Sequence, residues 1–274
     1  MQTQPQADTP VLRTSGSEAT ENSTSIRPRY HLLDIIRAVA VISMVIYHAV
    51  WDGVYIFGWD LPFFRTQAAF YWQQTTCITF LLLSGFCLQL GRHKIKRALT
   101  VLICSGIIWI VTEIAMPASA VRFGVLTLIG SAMLLMSLAE RYIKRLNPWV
   151  SLAVCLVCFA LTRYLKNGWL GFFRIPLVKM PSFLYSGGAL SAYLGFMPEG
   201  FYSSDYFPLI PWIFVFAAGC FLYLIFERRS WLRYLEGPSC KALELVGRKA
   251  LWIYMAHQAL IYGVLYLIHE IILK

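Results

Sequence analysis

The sequence contains seven separate stretches of mostly apolar residues, each close to the roughly 20 residues that a helix needs to cross a lipid bilayer. Only 14% of the residues are charged and 58% are hydrophobic, whereas a soluble domain is about 25% charged and about 45–50% apolar. These values exclude a soluble globule and a disordered chain. The sequence therefore predicts an all-α fold, a polytopic transmembrane helical bundle of about seven spans. The stretches cover residues 32–52, 68–90, 98–116, 122–139, 148–164, 205–226 and 248–273.

The chain divides into a short polar N-terminal segment and one membrane domain. Residues 1–26 are rich in Gln, Ser, Thr and Glu and contain too few apolar side chains to pack a core. We expect residues 1–26 to form a disordered cytoplasmic tail and residues 27–274 to form the transmembrane domain.

The basic residues predict the orientation of the bundle. Lys and Arg number 24 against 14 Asp and Glu, a net charge of +10, which in a soluble protein would suggest nucleic-acid binding. Here the basic residues concentrate in alternate connections, at residues 91–97, 140–147 and 227–249. Because short basic loops stay in the cytoplasm, we expect the N-terminus inside, the C-terminus outside and no nucleic-acid partner. The predicted localisation is a cell membrane with the basic connections in the cytoplasm, and the lipid bilayer is the surrounding partner.

The seven cysteines predict neither disulfides nor a metal centre. Six of them lie inside the apolar stretches, and Cys240 lies in a basic connection. Cys155 and Cys158 form a C-x-x-C pair, but that pair belongs to an apolar segment without further ligands. Cysteines at such positions commonly serve helix packing, so we expect no metal site.

Four ionisable residues in the first apolar stretch carry most of the functional information: Asp34, Arg37, His48 and Asp52. Arg37 and His48 are separated by nearly three helical turns, so they share one face, about 16 Å apart along the axis. Asp34 lies one turn before Arg37, and Asp52 lies one turn after His48. An Asp or Arg at the centre of a membrane helix costs about 2.5–3.5 kcal/mol. We therefore expect this polar stripe to face a cavity instead of lipid.

The residues of the stripe leave alternatives open. Asp52 is placed to fix the tautomer of the His48 imidazole and to raise its basicity, which is the arrangement of a general base. The alternative is a histidine that satisfies a buried hydrogen bond. Asp34 and Arg37 either pair to hold helices together or bind an anionic ligand. Polar residues of other segments are candidates to line the same cavity as substrate contacts: Gln74, Asp205 and His257.

Five segments together resemble the bacterial membrane proteins related to the catalytic domain of heparan-α-glucosaminide N-acetyltransferase, within the broad membrane acyltransferase superfamily. The resemblance covers nearly all of residues 30–265, with the segments in the family's order. The first two and the last two of the five segments are the more specific. The segments are LDIIRAVAVISMVIYHAVWD (residues 33–52), FLLLSGFCL (80–88), RFGVLTLIG (122–130), DYFPLIPWIFVFAAG (205–219) and LVGRKALWIYMAHQALI (245–261).

The resemblance implies a membrane enzyme that moves an acyl group, typically acetyl, from cytoplasmic acyl-CoA to an amine or hydroxyl on the other side. The acceptor is usually a carbohydrate. The family's catalytic histidine matches His48, which acts either as a base or as a transient acyl carrier. The donor acetyl-CoA, or another acyl-CoA, is then expected at the cytoplasmic end, where its binding residues are Asp34, Arg37, Arg97 and Arg248.

The chain also departs from the family. Many relatives carry a histidine where this sequence has Thr127, and the chain is shorter than the sugar-modifying eukaryotic members. The acyl group and the acceptor therefore do not carry over, and the oligomeric state, including a homo-oligomer, stays open. The main alternative is a non-enzymatic transporter or scaffold that uses the same polar cavity. A weaker alternative is a haem protein that uses His48 and His269.

Overall fold

A computed structural model describes residues 29–172 and 175–272. The predicted disordered tail, residues 1–26, lies outside these ranges. Ten α-helices occur in the described residues, joined by short 3-10 turns. They are α1 (His31–Tyr55), α2 (Gln67–Leu90), α3 (Lys94–Ala115), α4 (Val125–Leu138), α5 (Glu140–Ile143), α6 (Pro148–Thr162), α7 (Gly188–Leu194), α8 (Leu209–Arg228), α9 (Lys241–Arg248) and α10 (Ala250–Ile272).

Five of these helices are long and apolar enough to cross a membrane: α1, α3, α6, α8 and α10. α2 has 24 residues, but the polar run from Gln73 to Thr76 lowers its mean hydropathy. α4 has only 14 residues, a length of about 21 Å against a hydrocarbon core of about 30 Å. The count of seven spans and the orientation of the termini therefore stay predictions.

The helices begin where the sequence supplies capping groups. The Thr66 hydroxyl accepts a hydrogen bond from the backbone N–H of Ala68 at 3.2 Å and so caps α2. The Asn147 side chain does the same for α6, accepting from Trp149 N–H at 3.0 Å. In both helices the cap satisfies a backbone donor that has no partner within the helix.

α8 forms the centre of the bundle. Its buried side chains Phe216 and Cys220 pack with Leu81 and Leu88 of α2 and with Leu128 of α4. α3, α6 and α10 present mostly exposed apolar side chains, as helices that face lipid do.

The close approach of α2 and α8 depends on two glycines. A Cβ atom on Gly85 would lie 2.0 Å from the Phe216 carbonyl oxygen, and one on Gly219 would lie 2.1 Å from the Leu82 carbonyl oxygen. Each glycine therefore lets one helix touch the backbone of the other. This is the small-residue packing that membrane helices use.

Two features correct the predicted elements. The all-α prediction describes the bundle, but the connection after α6 also contains an antiparallel pair of strands, β1 (Trp169–Phe172) and β2 (Ile175–Lys179). Aromatic and β-branched residues favour such short strands. The basic connection predicted at residues 227–249 contains a separate amphipathic helix, α9, which ends at Arg248 just before α10 begins. A Cβ on Gly247 of α9 would lie 2.1 Å from the Asp34 carbonyl oxygen, so α9 touches the backbone of α1.

Candidate functional site

One cavity of about 360 Å³ lies between α1, α2, α3, α4, the segment before α8, α9 and α10. This volume falls in the usual range of small-molecule sites. Its wall is mostly apolar, with polar groups placed along it. Those polar side chains include Arg37, His48, Gln73, Thr76, Ser84, Arg97, Thr100, Asp205, Arg248 and Tyr254.

Three arginines line one end of the cavity, called the basic end below: Arg37, Arg97 and Arg248. Arg97 and Arg248 are exposed, and among the described residues neither pairs with a carboxylate. The contact of Gly247 with the backbone of α1 places Arg248 beside the start of α1. Guanidinium groups without a carboxylate partner are suited to bind phosphate.

Asp34 contributes to the basic end through Arg37. Its carboxylate accepts a hydrogen bond from Arg37 Nη1 at 2.8 Å, and Arg37 Nη2 lies 3.0 Å from Cys87 Sγ. Asp34 itself does not line the cavity. The Asp34 carboxylate therefore holds the Arg37 guanidinium at the cavity wall, and a direct role of Asp34 in donor binding stays a prediction.

A second carboxylate, Glu244, holds α9 against the start of α1. It pairs with Arg29 at 2.9 Å and with His31 Nδ1 at 2.9 Å, and it accepts from the Ser239 hydroxyl at 2.6 Å. The Ser239 hydrogen bond, followed by the hydrogen bond to His31 and the charge of Arg29, keeps the pKa of the Glu244 carboxyl below its usual value, against the opposing effect of burial. The ionised Glu244 thus helps to position Arg248, one turn further along α9.

His48 lies on the cavity wall away from the basic end, toward the second half of α1. Its ring is half-buried and makes edge contacts with the rings of Tyr47 at 5.9 Å and His257 at 4.9 Å between centroids. Among the described residues, no side chain hydrogen-bonds the His48 imidazole. Its ring nitrogens are therefore available to a molecule in the cavity.

His257 lies behind His48 and outside the cavity lining. It is only 8% exposed. Its Nδ1 donates to the Tyr254 carbonyl oxygen at 2.6 Å. Since a carbonyl only accepts, Nδ1 carries the hydrogen, which leaves Nε2 as an acceptor in the neutral ring. That Nε2 is buried without a hydrogen-bond partner in the described part of the chain.

Asp52 is fully buried and faces α10. Both of its carboxylate oxygens accept from Gln258 Nε2, at 3.0 and 2.9 Å. Within residues 29–172 and 175–272, Gln258 is the hydrogen-bond partner of the Asp52 side chain, and His48 is not. The role of Asp52 in orienting His48 stays a prediction, and the observed contact ties α1 to α10.

Asp205 lines the cavity and also caps the N-terminus of α4. Its Oδ2 accepts from the Tyr254 hydroxyl at 3.1 Å and from the Val125 backbone N–H at 3.4 Å. A Cβ on Gly124 would lie 3.1 Å from the same oxygen, so a glycine there leaves room for the carboxylate. Asp205 therefore serves both helix capping and the polar wall of the cavity.

Gln74 does not line the cavity, but its neighbour Gln73 does. Gln74 Nε2 donates to Gln73 Oε1 at 3.3 Å, and Gln74 Oε1 accepts from the Arg163 guanidinium. Arg163 lies on the rings of Phe159 and Trp212, at 5.2 and 4.9 Å from the centroids. These contacts connect the end of α6 to the cavity wall.

Sequence reasoning missed Tyr47, Cys87 and Thr100 on the cavity wall and Arg163 behind it. Arg163 carried a usable signal, because it is a cation at the end of an apolar stretch. The other three carried none, since small polar and aromatic side chains are common in membrane helices. Thr127, where many relatives carry a histidine, hydrogen-bonds Ser105 of α3 and lies outside the cavity lining.

His269, the second histidine of the haem alternative, packs against Phe57, whereas the ring next to His48 is that of His257. Among residues 29–172 and 175–272, no group of three or more His, Cys, Asp and Glu side chains is placed to hold a metal ion.

The fold and the cavity define a class: a helical bundle that fits an integral membrane protein, with a polar cavity that extends from a basic end to a histidine. The family model described as heparan-alpha-glucosaminide N-acetyltransferase, catalytic, matches residues 29–259, and the chain belongs to this family. Comparisons with curated proteins and with solved structures find no match. The matched range includes every cavity residue named above, so the site belongs to a membrane acetyltransferase-type family.

Proposed function

We propose that the protein is an integral membrane acyltransferase that moves an acetyl or similar acyl group from acyl-CoA to an amine or hydroxyl. The observation that carries this proposal is the single cavity that joins three arginines to His48. Membership of an acetyltransferase family supports the reaction class.

The donor binds with its phosphates at the basic end. Arg37, Arg97 and Arg248 supply the charges that a nucleotide with several phosphates requires. The thioester then extends along the cavity toward His48. Asp34 positions Arg37, and Glu244 positions α9 with Arg248. Because the basic loops favour the cytoplasm, the basic end faces the cytoplasmic pool of acyl-CoA in the bacterial inner membrane.

The acceptor approaches from the opposite side, near Asp205, Tyr254 and the His48 ring. His48 removes the proton from the attacking nitrogen or oxygen and later returns it to the CoA thiolate. The imidazole can instead carry the acyl group transiently, as a nucleophile. His257 and Gln74 support this region from behind the cavity wall, and Asp52 holds α1 in place through α10. A carbohydrate acceptor fits the family's description, which names a glucosaminide.

The test uses the purified full-length protein in detergent with labelled acetyl-CoA and glucosamine, a probe that offers both an amine and hydroxyls. We expect acetyl-CoA to stabilise the wild type against heat and label to reach glucosamine. Replacing His48 by Ala removes the base and lowers the transfer rate by about 10²–10⁴-fold, while acetyl-CoA still binds.

The matched control is His93→Asn, because His93 is exposed and outside the cavity. Its backbone has φ of 52°, a conformation that Asn tolerates. This variant should transfer label at the wild-type rate. A wild type that does not bind acetyl-CoA, or a His48→Ala variant that transfers label as fast as the wild type, contradicts the proposal.

A further inference from the structure

We infer that Gln73 donates a hydrogen bond from its Nε2 to the acyl carbonyl oxygen and stabilises the oxyanion that forms during transfer. Gln73 is then a catalytic residue, and Gln74 and Arg163 are positioning residues. This inference rests on the acyltransferase function proposed above and adds the group that stabilises the transition state.

Gln73 and His48 lie at the same level of the bundle. Ser43 of α1 hydrogen-bonds Thr76 of α2 at 3.0 Å, and one turn further Tyr47 contacts the Trp72 ring at 5.4 Å. α1 and α2 are therefore antiparallel neighbours at this point. The residues that follow, His48 and Gln73, both line the cavity, so a carbonyl group between them can meet both side chains.

The direction of the Gln73 amide is fixed by a chain of hydrogen bonds that begins at Arg163. A guanidinium only donates, so the side-chain oxygen of Gln74 must face Arg163. The amide nitrogen of Gln74 then faces Gln73, whose oxygen accepts it at 3.3 Å. The Gln73 NH₂ group is left for the cavity, without a hydrogen-bond partner among the described residues.

Arg163 is itself held in place. Its guanidinium lies on the rings of Phe159 and Trp212, and within the described ranges it forms no salt bridge. Cation–π contacts on two rings keep the cation half-buried without a carboxylate. Arg163 thus fixes which end of each glutamine amide faces the cavity, although it lies outside the cavity lining.

The hydrogen-bond donor of Gln73 acts at one step of the reaction. The acceptor nitrogen or oxygen forms a bond to the thioester carbon and loses its proton to His48. The carbonyl π electrons move to the oxygen, which becomes the oxyanion that Gln73 Nε2 stabilises. The oxyanion then re-forms the carbonyl, the carbon–sulfur bond breaks, and the CoA thiolate takes the proton from His48. A fixed neutral donor stabilises this charge without reorganisation.

The sharpest variant is Gln73→Glu, which keeps the shape and the oxygen that accepts from Gln74 but replaces the NH₂ donor with an oxygen. We expect kcat for transfer from acetyl-CoA to glucosamine to fall on the order of 100-fold, with acetyl-CoA binding unchanged. As the pH is lowered, the Glu side chain gains a proton and can donate again. The ratio of wild-type to variant rates should therefore decrease in acid.

Arg163→Met keeps an apolar stem on the two rings but removes the cation that sets the amide direction. We expect a loss of kcat that is smaller than the roughly 100-fold loss of Gln73→Glu. Added to Gln73→Glu, Arg163→Met should cause little further loss, because both changes act through the same donor. Gln67→Glu is the matched control, since Gln67 is exposed at the start of α2, and it should keep the wild-type rate.

The outcomes separate this inference from the proposed function. If the wild type transfers label and folded Gln73→Glu transfers it at the same rate, the oxyanion role is overturned and the acyltransferase function stands. If Gln73→Glu fails to fold, Arg163→Met is the test. A folded Arg163→Met variant that transfers label at the wild-type rate overturns the oxyanion role. If the wild type neither binds acetyl-CoA nor transfers label, both are overturned.

Discussion

The ionisable residues of α1 have two different kinds of surroundings. Arg37 and His48 line the cavity, whereas Asp34 pairs with Arg37 and Asp52 is buried against Gln258 of α10. Helical spacing alone predicts that Arg37 and His48 share a face, and the structure places both at the cavity. The partners of the two carboxylates depend on contacts far apart in sequence, which local spacing does not contain.

The Asp52–Gln258 contact leads to a prediction about stability. Asp52→Leu leaves the half-buried Gln258 amide without its acceptor, and Gln258→Met leaves the buried Asp52 carboxylate without its donor. We expect each single change to lower the free energy of unfolding by about 1–3 kcal/mol. The double variant should lose less than the sum, because no unpaired group remains.

Reversible unfolding in mixed micelles measures the free energy of unfolding of the wild type, the two single variants and the double variant. These four values give the coupling energy between Asp52 and Gln258. A coupling close to zero would show that the two side chains do not depend on each other. That result would contradict the structural role given to the pair.

At the level of elements, the crossing of α2 and α8 is the most sharply defined contact. A Cβ on Gly85 would lie 2.0 Å from the Phe216 carbonyl oxygen, so Gly85→Ala forces the two backbones apart. We expect a loss of about 1–3 kcal/mol of stability, as for other overpacked cores. Gly106→Ala in α3 is the control, because a Cβ there meets nothing within 4 Å.

Thermal unfolding of both glycine variants in the same detergent makes the comparison. Gly106→Ala should unfold at or above the wild-type temperature, since Ala is the better helix former. Equal unfolding temperatures for Gly85→Ala and the wild type would exclude the close crossing.

The elements also show what sequence patterns can and cannot predict. Apolar length locates α1, α3, α6, α8 and α10, because a membrane helix needs a long apolar surface along its whole length. It does not predict α9, because this short amphipathic helix lies in a basic connection and packs against α1. It also cannot predict β1 and β2, whose short aromatic and β-branched segments look like any connection. Likewise, the hydrogen-bond chain from Arg163 to Gln73 joins the residue after α6 to two residues of α2, and no spacing in the sequence contains it.

At the scale of the whole molecule, one cavity joins two chemically different ends. The basic end has arginines on α1, α3 and α9, and the other end has His48, Asp205 and Tyr254. Each end includes residues from at least three elements, so the site exists only in the assembled bundle. The proposed function requires a donor and an acceptor to reach His48 from opposite faces of the membrane.

The most direct measurement of this claim is transfer across a sealed membrane. The protein is reconstituted in vesicles with its basic end outward, labelled acetyl-CoA is added outside, and glucosamine is sealed inside. Because acetyl-CoA does not cross the lipid, we expect labelled N-acetylglucosamine in the vesicle interior for the wild type and none for His48→Ala. Label that forms only when acetyl-CoA and glucosamine share one side of the membrane would contradict transfer through the cavity from one face to the other.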